Sequence, residues 1–181
     1  MKQGLVDQTG AAAGGLPASE NYIGHVGGQG TTVTLELTNT LPAYVALDCV
    51  GGIQSLTVAR VNGGHCILQA MTLLDREGES EAYDVYMFTA SPTSSTFTDA
   101  NPAVLHQDDR DLCVPGTPFR IFAGDYLALV GAESQAAKRN IGAAFETASG
   151  SQLVYVAFVC VDTPDYANTD ALVAQFDFLQ D

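Results

Sequence analysis

The side chains that could carry chemistry in this sequence are three histidines, four cysteines and two groups of carboxylates. The histidines are His25, His65 and His106. Hydrolases with a nucleophilic serine need a histidine near a strained Gly-x-Ser-x-Gly turn, and the chain contains no such sequence. We interpret the three histidines as ordinary surface or turn residues. A hydrolase would need His25 or His65 to meet an acid in a cleft.

The carboxylates form two groups with different predicted roles. The run Asp108-Asp109-Arg110-Asp111 lacks the interleaved ligands and fixed glycine of a calcium loop, so we interpret it as solvated charges on a short helix or turn. The second group alternates around a predicted hairpin, where charges discourage edge-to-edge strand pairing. Its members are Asp75, Glu77, Glu79, Glu81 and Asp84. Paired catalytic carboxylates remain an alternative, although sugar clefts commonly use Trp platforms and this chain has no Trp.

The four cysteines are Cys49, Cys66, Cys113 and Cys160. They form no C-x-x-C pair, and their spacing fits neither a zinc ribbon nor a zinc finger. Because free cysteine behaves as a small apolar residue, we predict buried free thiols in preference to a disulfide framework. The sequence therefore predicts no catalytic, cofactor-binding or metal-binding residue, no cofactor, and a protein that is not an enzyme.

Short strands are the elements that must position all these residues. Thr31 to Thr38 alternates apolar and polar side chains, as a half-buried strand does. Leu153 to Val161 is an unbroken apolar run typical of a central strand covered on both faces. Gly51-Gly52 is interpreted as a turn, and a short helix is predicted around residues 102–106. The other predicted strands are residues 44–50, 54–61, 65–74, 83–89, 119–122, 126–130, 141–145 and 171–179. The Ser/Thr-rich loop from Ser91 to Thr98 is either a contact loop or a solvated crossover.

This pattern predicts an all-β fold, a jelly-roll-like β-sandwich of about eight strands, with an immunoglobulin-like sandwich as the second choice. The sandwich domain is expected to span residues 31–181. Residues 1–30 contain eight glycines, and glycine at this density loses too much backbone entropy to form a regular element unaided. We therefore predict an extended Gly-rich N-terminal arm over residues 1–30, which orders only against a neighbour or stays mobile.

Charge narrows the classes of partner. The chain has 181 residues with 21 acids, 7 Lys+Arg and a net charge of −14. So few cations cannot displace many counterions from a phosphate backbone, and they disfavour an anionic membrane surface. We expect no direct nucleic-acid binding and no membrane association. The first residues show no apolar signal sequence, so a secretory signal is not expected.

Several segments resemble a family of small tailed-bacteriophage virion proteins. They are the segments 72–75, 84–92, 94–101, 166–169 and 176–181, which include Asp84-Val85-Tyr86-Met87-Phe88 and Phe176-Asp177-Phe178-Leu179-Gln180-Asp181. The resemblance covers about residues 55–181 and contains no catalytic signature. It implies a structural role in the particle, with head decoration (cement) proteins of jelly-roll or sandwich fold as the nearest functional model.

From the resemblance we expect a virion structural protein on the capsid surface, made in the host cytoplasm. Its partners would be itself, as a homotrimer or homodimer, and the major capsid protein. The alternative is a tail-associated or glycan-binding β-sandwich module with exposed aromatic side chains. The candidate platform residues are Tyr22, Tyr44, Tyr83 and Tyr126.

Overall fold

Nine β-strands and little helix make up the computed structural model, which describes residues 29–39 and 43–180. The strands are β1 (Gln29–Leu37), β2 (Cys49–Thr57), β3 (His65–Asp75), β4 (Tyr83–Phe88), β5 (Phe119–Ile121), β6 (Tyr126–Ala128), β7 (Ser134–Glu146), β8 (Leu153–Cys160) and β9 (Leu172–Gln180). The predicted arm over residues 1–30 lies outside the described residues, except that Gln29 and Gly30 begin β1.

Two antiparallel sheets face each other, with strand orders β1-β9-β3-β7-β6 and β2-β8-β4-β5. The pairings are nested along the chain, because β1 pairs with β9, β2 with β8, β3 with β7, and β4 with β5. A chain doubled back on itself in this way and then rolled into two sheets has the topology of a jelly roll. The predicted all-β jelly-roll sandwich is therefore confirmed, and β6 is an extra strand added beside β7.

The core lies between the sheets and follows the alternation of the sequence. On β9 the predicted inward residues Leu172, Ala174, Phe176 and Phe178 are all buried. The rings of Phe176 and Phe158 approach with centroids 6.3 Å apart across the two sheets. Complete burial of such a side chain stabilises the fold by about 1.5–3 kcal/mol, so in β9 the alternating apolar residues determine which face is covered.

A long connection between β4 and β5, residues 89–118, covers the outer face of the smaller sheet; we call it the cover segment. Phe97 of this segment is buried, and its ring centroid lies 5.5 Å from that of Phe88 and 5.8 Å from that of Tyr86. With Ala157 and Val159 of β8 these rings form a second apolar cluster. The segment Ser91 to Thr98 is therefore anchored to the sheet through Phe97, and β8 is covered on both faces as predicted.

A buried carboxylate fixes the cover segment. Asp109 lies in a 3₁₀ helix over Gln107–Leu112 and is only 3% exposed. Its Oδ2 accepts hydrogen bonds from the backbone N–H groups of Ser94 and Ser95 and from the Ser95 hydroxyl, at 2.6–2.9 Å. The interpretation of the run 108–111 as solvated charges is therefore wrong for Asp109, whose charge is satisfied by donors of its own chain.

We expect the stability contributed by Asp109 to depend on pH. The Ser95 hydroxyl, and then the backbone N–H groups of Ser95 and Ser94, outweigh desolvation and hold the pKa of Asp109 below its usual value, which is about 3.9 in unfolded chains. The stabilisation is therefore fully present above the unfolded pKa and is lost as pH falls through the folded pKa. Thermal unfolding of the native protein and of Asp109→Asn should differ most near pH 7. The difference should shrink steadily below about pH 4, whereas a pH-independent difference would contradict this role.

Three local predictions are wrong for identifiable reasons. Gly51-Gly52 is not a turn between strands but lies inside β2, where both residues have positive φ and form a bulge between Val50 and Gln54. The helix predicted around residues 102–106 is absent, because Val104 forms a β-bridge with Thr96. The short strand predicted at residues 141–145 is the second half of β7, which begins at Ser134.

The cysteines agree with the prediction. All four are free, and three of them are buried. Burial, followed by the charge of Asp99, raises the pKa of the Cys49 thiol to about 12. The Cys49 thiol therefore stays protonated at neutral pH, and the thiolate is the form that reacts or binds metals.

Candidate interaction surface

Two of the three histidines, His65 and His106, lie among the described residues, and each has one acidic neighbour. His65 lies at the start of β3, opposite Glu146 of β7, at the rim of an open depression of about 270 Å³. His106 caps the 3₁₀ helix and sits 3.3 Å from Asp108, while His25 lies outside the described residues. Within the described part of the chain, no three His, Cys, Asp or Glu side chains are grouped as metal ligands.

The acidic residues from 75 to 84 do not protect a hairpin edge, because β3 and β4 belong to different sheets. Asp75 is fully buried instead. Its Oδ1 accepts the N–H groups of Glu77 and Gly78, both at 2.9 Å, and its Oδ2 accepts that of Ser80 at 2.8 Å. The carboxylate therefore shapes the β3–β4 loop from within.

Two of the tyrosines proposed as sugar platforms are in the core. Tyr44 and Tyr83 are buried, and the Tyr83 hydroxyl is hydrogen-bonded to that of Tyr166. The hydroxyl of Tyr126 is also buried, and Tyr22 lies outside the described residues. Tyr44 and Tyr83 are therefore unavailable as exposed platforms in this structure.

The clearest surface feature is a set of exposed apolar side chains around the β6–β7 hairpin, which we call the hairpin patch. Its members are Phe122 (54% exposed), Leu127 (73%), Leu129 (41%) and Val130 (97%). Leu127 and Leu129 line an open depression of about 380 Å³ together with Ala137 and Arg139 of β7. Exposed apolar side chains are ordinary when scattered, but several of them on and beside one hairpin make it a candidate interaction surface.

Local hydrogen bonds hold the patch in place. Asp125 turns the chain between β5 and β6, with its carboxylate accepting the Phe122 N–H at 3.0 Å. The Leu129 N–H donates to the Glu133 carbonyl at 2.8 Å and closes the hairpin tip. Because Tyr126 opposes Ala136 and its hydroxyl is buried, the alternation of β6 directs Leu127 outward.

The β3–β4 loop supports the same hairpin from the other side. Gly78 packs directly against the backbone carbonyl of Ala132, and the hydroxyls of Ser80 and Ser134 are 2.9 Å apart. The loop is itself organised by the Asp75 carboxylate. A buried acid, a glycine and a serine pair thus determine where the hairpin patch lies, and none of them belongs to the patch.

Charged side chains of both signs lie near the patch, and Asp125 and Arg139 both line its depression. The described residues include six Lys and Arg side chains, and three of them, Arg120, Lys138 and Arg139, lie on β5 and β7. Arg120 is held by two hydrogen bonds to the Asp84 carboxylate, at 2.7 and 2.5 Å. Lys138 donates to the Arg120 carbonyl at 3.0 Å. On a protein of net charge −14, this surface combines apolar contact area with charges of both signs.

Sequence reasoning did not identify the hairpin patch. The run Tyr126 to Val130 was predicted as a strand, but its apolar residues gave no sign of which face would be covered. β6 is an edge strand added outside the eight-stranded roll, so no second layer covers the outward face of Leu127. The excess of apolar residues over a regular alternation, from Leu127 to Val130, is the signal that could have revealed it.

Comparison with known proteins yields distant structural likenesses only. No protein-family model and no curated protein matches the sequence. The K3 cleaved adhesin domain of Lys-gingipain from Porphyromonas gingivalis aligns over 83% of this chain and 90% of its own, with 14% identity and a TM-score of 0.28. The native virion of Kashmir bee virus aligns over 84% and 71%, with 11% identity and a TM-score of 0.28. Mud crab dicistrovirus aligns over 92% and 74%, with 8% identity and a TM-score of 0.25.

Likenesses at this level carry no argument about function. The assignment of the chain as a β-sandwich rests on its own strand pairing. Among the described residues, no helix is long and apolar enough to cross a membrane.

Proposed function

We propose that this protein is a non-enzymatic virion structural protein, a head decoration (cement) protein that binds and stabilises a tailed-phage capsid shell as a homo-oligomer. The observation that carries the proposal is the hairpin patch, a group of exposed apolar side chains that local hydrogen bonds hold in place on an acidic molecule. A decoration protein needs such a docking surface on a stable scaffold, and solubility before assembly. The high net charge favours that solubility.

Two further observations support this role. The jelly roll is an architecture of viral coat proteins, among others, although fold by itself does not determine function. The resemblance of residues 55–181 to phage virion proteins points the same way. Since a capsid repeats each contact by symmetry, weak apolar contacts at one patch add up over the shell without any reactive residue.

The copy number of the protein in purified particles tests its location. A shell protein should be present in on the order of hundreds of copies, because it follows the symmetry of the capsid. About a dozen copies or fewer would place it at the tail or portal instead and favour the alternative of a tail-associated module. Its absence from particles would overturn the proposal.

Binding of variants to capsids that lack the protein tests the hairpin patch. Leu127→Asp places a charge in the exposed apolar surface and should weaken binding by about tenfold or more, without changing thermal stability. Val61→Asp is a matched control, since Val61 is also exposed (59%). Val61 precedes the start of β3, whereas the hairpin lies beside the other end of that strand, about 35 Å away along the strand. Equal binding by both variants would remove the hairpin patch as the docking surface.

A further inference from the structure

The four sheet edges of the described residues differ sharply in how they are protected. An edge strand exposes unpaired backbone N–H and C=O groups, and proteins limit unwanted pairing with short strands, bulges or covering segments. β5 and β6 are edges of three residues each. β2 is interrupted by its glycine bulge and covered by the segment 97–101. That segment bonds to Cys49 at 2.9 Å and to Ile53 at 3.1 Å.

β1 has none of these protections. It pairs with β9 over nine residues in unbroken register, from Gln29 opposite Gln180 to Leu37 opposite Leu172. It contains no proline and no Lys or Arg, and its one charge is Glu36. Among the described residues, no backbone hydrogen bond reaches β1 from the side away from β9. Only near Leu37 does another strand approach, where Gly51 of β2 packs beside it.

We infer that the open edge of β1 pairs with β1 of a second copy, antiparallel and about a two-fold axis near Thr32, and so joins two five-stranded sheets into one. This identifies the self-association surface of the proposed homo-oligomer, but it does not require that the protein bind a capsid. A two-fold axis makes the contact isologous, with the same surface used by both copies. Addition of a strand to an open edge is a common mode of recognition.

The side chains of β1 suit a second β1 better than an unrelated strand. Val33 and Leu35 face the core but are only partly buried, so an added strand of the same alternation would extend the apolar layer and cover them further. On the other face, Thr32 would lie directly opposite Thr32 of the second copy, with Thr34 diagonal to it, and cross-strand threonine pairs are favourable.

Charge also permits this pairing. In a chain of net charge −14, most surfaces of two copies repel each other. In the antiparallel arrangement about Thr32, the two Glu36 side chains lie at opposite ends of the paired segment, where each stays near Arg76 of its own chain, at 3.5 Å. The paired segment then runs from Gln29 to Leu35, about 23 Å long.

The first test is the oligomeric state of the full chain. Sedimentation velocity over a concentration series should show a species of twice the 19.0 kDa chain mass. Hydrogen exchange of the same samples should show amides of β1 becoming protected as the dimer forms. A monomer at all concentrations, or a trimer, would overturn the inference, because an isologous edge contact closes at two copies.

The second test is a proline scan of positions 31 to 34. Along an edge strand the N–H groups alternate in direction: one bonds to the neighbouring strand and the next points to the open side. Proline is tolerated only where the N–H points to the open side. One alternating pair of variants, Thr31→Pro and Val33→Pro or Thr32→Pro and Thr34→Pro, should keep the native melting temperature and become monomeric. The comparison variant Thr32→Ala removes the hydroxyl that donates to Asp177 but keeps the backbone N–H, and should weaken the dimer far less than the prolines that keep the fold.

The two proposals can fail separately. A dimer that resists every folded proline variant would contradict pairing at β1, whatever the protein does in a virion. Conversely, the protein could be absent from particles while its dimer dissociates on substitution in β1. That result would contradict the decoration role and support the proposed β1 contact. If all four prolines unfold the chain, concentration-dependent exchange at β1 in the native protein still decides the question.

Discussion

Replacing Gly78 by alanine is expected to destabilise the protein by at least about 3 kcal/mol. Gly78 has φ +71°, in the left-handed region that side chains with a Cβ rarely adopt. A Cβ there would overlap the Ala132 carbonyl oxygen, which is backbone and cannot rotate away. Either the β3–β4 loop or the β6–β7 hairpin must move. Urea unfolding of Gly78→Ala measures the cost.

Substitutions at two other glycines separate the cost of the backbone strain from the cost of the overlap with Ala132. Gly150 also has positive φ, at +83°, but has open space around it, so Gly150→Ala should cost only the backbone strain of about 1–2 kcal/mol. Gly124 has neither positive φ nor a close neighbour, so Gly124→Ala should be neutral or stabilising by up to about 1 kcal/mol. If the Gly78 and Gly150 variants lose the same stability, the overlap with Ala132 contributes nothing to the destabilisation of the Gly78 variant.

The Gly78 variant also links the fold to the proposed site. Since Ala132 lies in the hairpin that presents Leu127 and Val130, a displaced hairpin should weaken capsid docking even where the protein remains folded. Gly150 lies between β7 and β8. Gly150→Ala should therefore leave the docking affinity of the folded protein unchanged.

The jelly-roll class could be predicted because its determinant is local and repeated. In β9 the alternation of Ala174, Phe176 and Phe178 with Gln175 and Asp177 specifies one buried face, and all three apolar residues are buried. In β8 the unbroken apolar run specifies two buried faces. Such patterns can be interpreted without knowing the partner strands, since every strand of a sandwich must bury at least one face.

Features that depend on distant partners could not be predicted. The first half of β7, with Gln135, Ala136 and Lys138, has few β-branched or aromatic residues, and it is a strand because β3 and β6 pair with it on either side. Asp75 was predicted as a charge that protects a hairpin edge, and Asp109 as a solvated charge. Their burial depends on backbone N–H groups that a loop brings together, and spacing in the sequence does not reveal this.

The hairpin patch and the open edge of β1 were missed for the same reason. The residues of both are unremarkable strand formers, and what distinguishes them is the absence of a covering layer among the described residues. The cover segment supplies such a layer for the smaller sheet and buries a face that would otherwise expose Phe88 and Tyr86. Both proposed interaction surfaces thus lie where no other described residues cover a strand.

The cover segment gives the second large prediction, that Phe97→Ala will destabilise the protein by about 3–5 kcal/mol. Phe97 is 7% exposed and contacts two aromatic rings. Removing its ring leaves a cavity over the outer face of β4. Its backbone carbonyl also accepts the Ile53 N–H at 3.1 Å, so the loss should loosen the covered edge of β2. Urea unfolding with hydrogen exchange at Ile53 measures both effects.

Phe122→Ala is the matched control, because the same ring is removed from an exposed position and should change stability by less than about 0.5 kcal/mol. A double variant with Asp109→Asn should cost less than the sum of the two single changes, since both residues hold the same segment to the sheet. A cost below about 1 kcal/mol for Phe97→Ala would mean that the segment detaches without affecting the sandwich. The outer face of the smaller sheet would then be a third surface open to a partner.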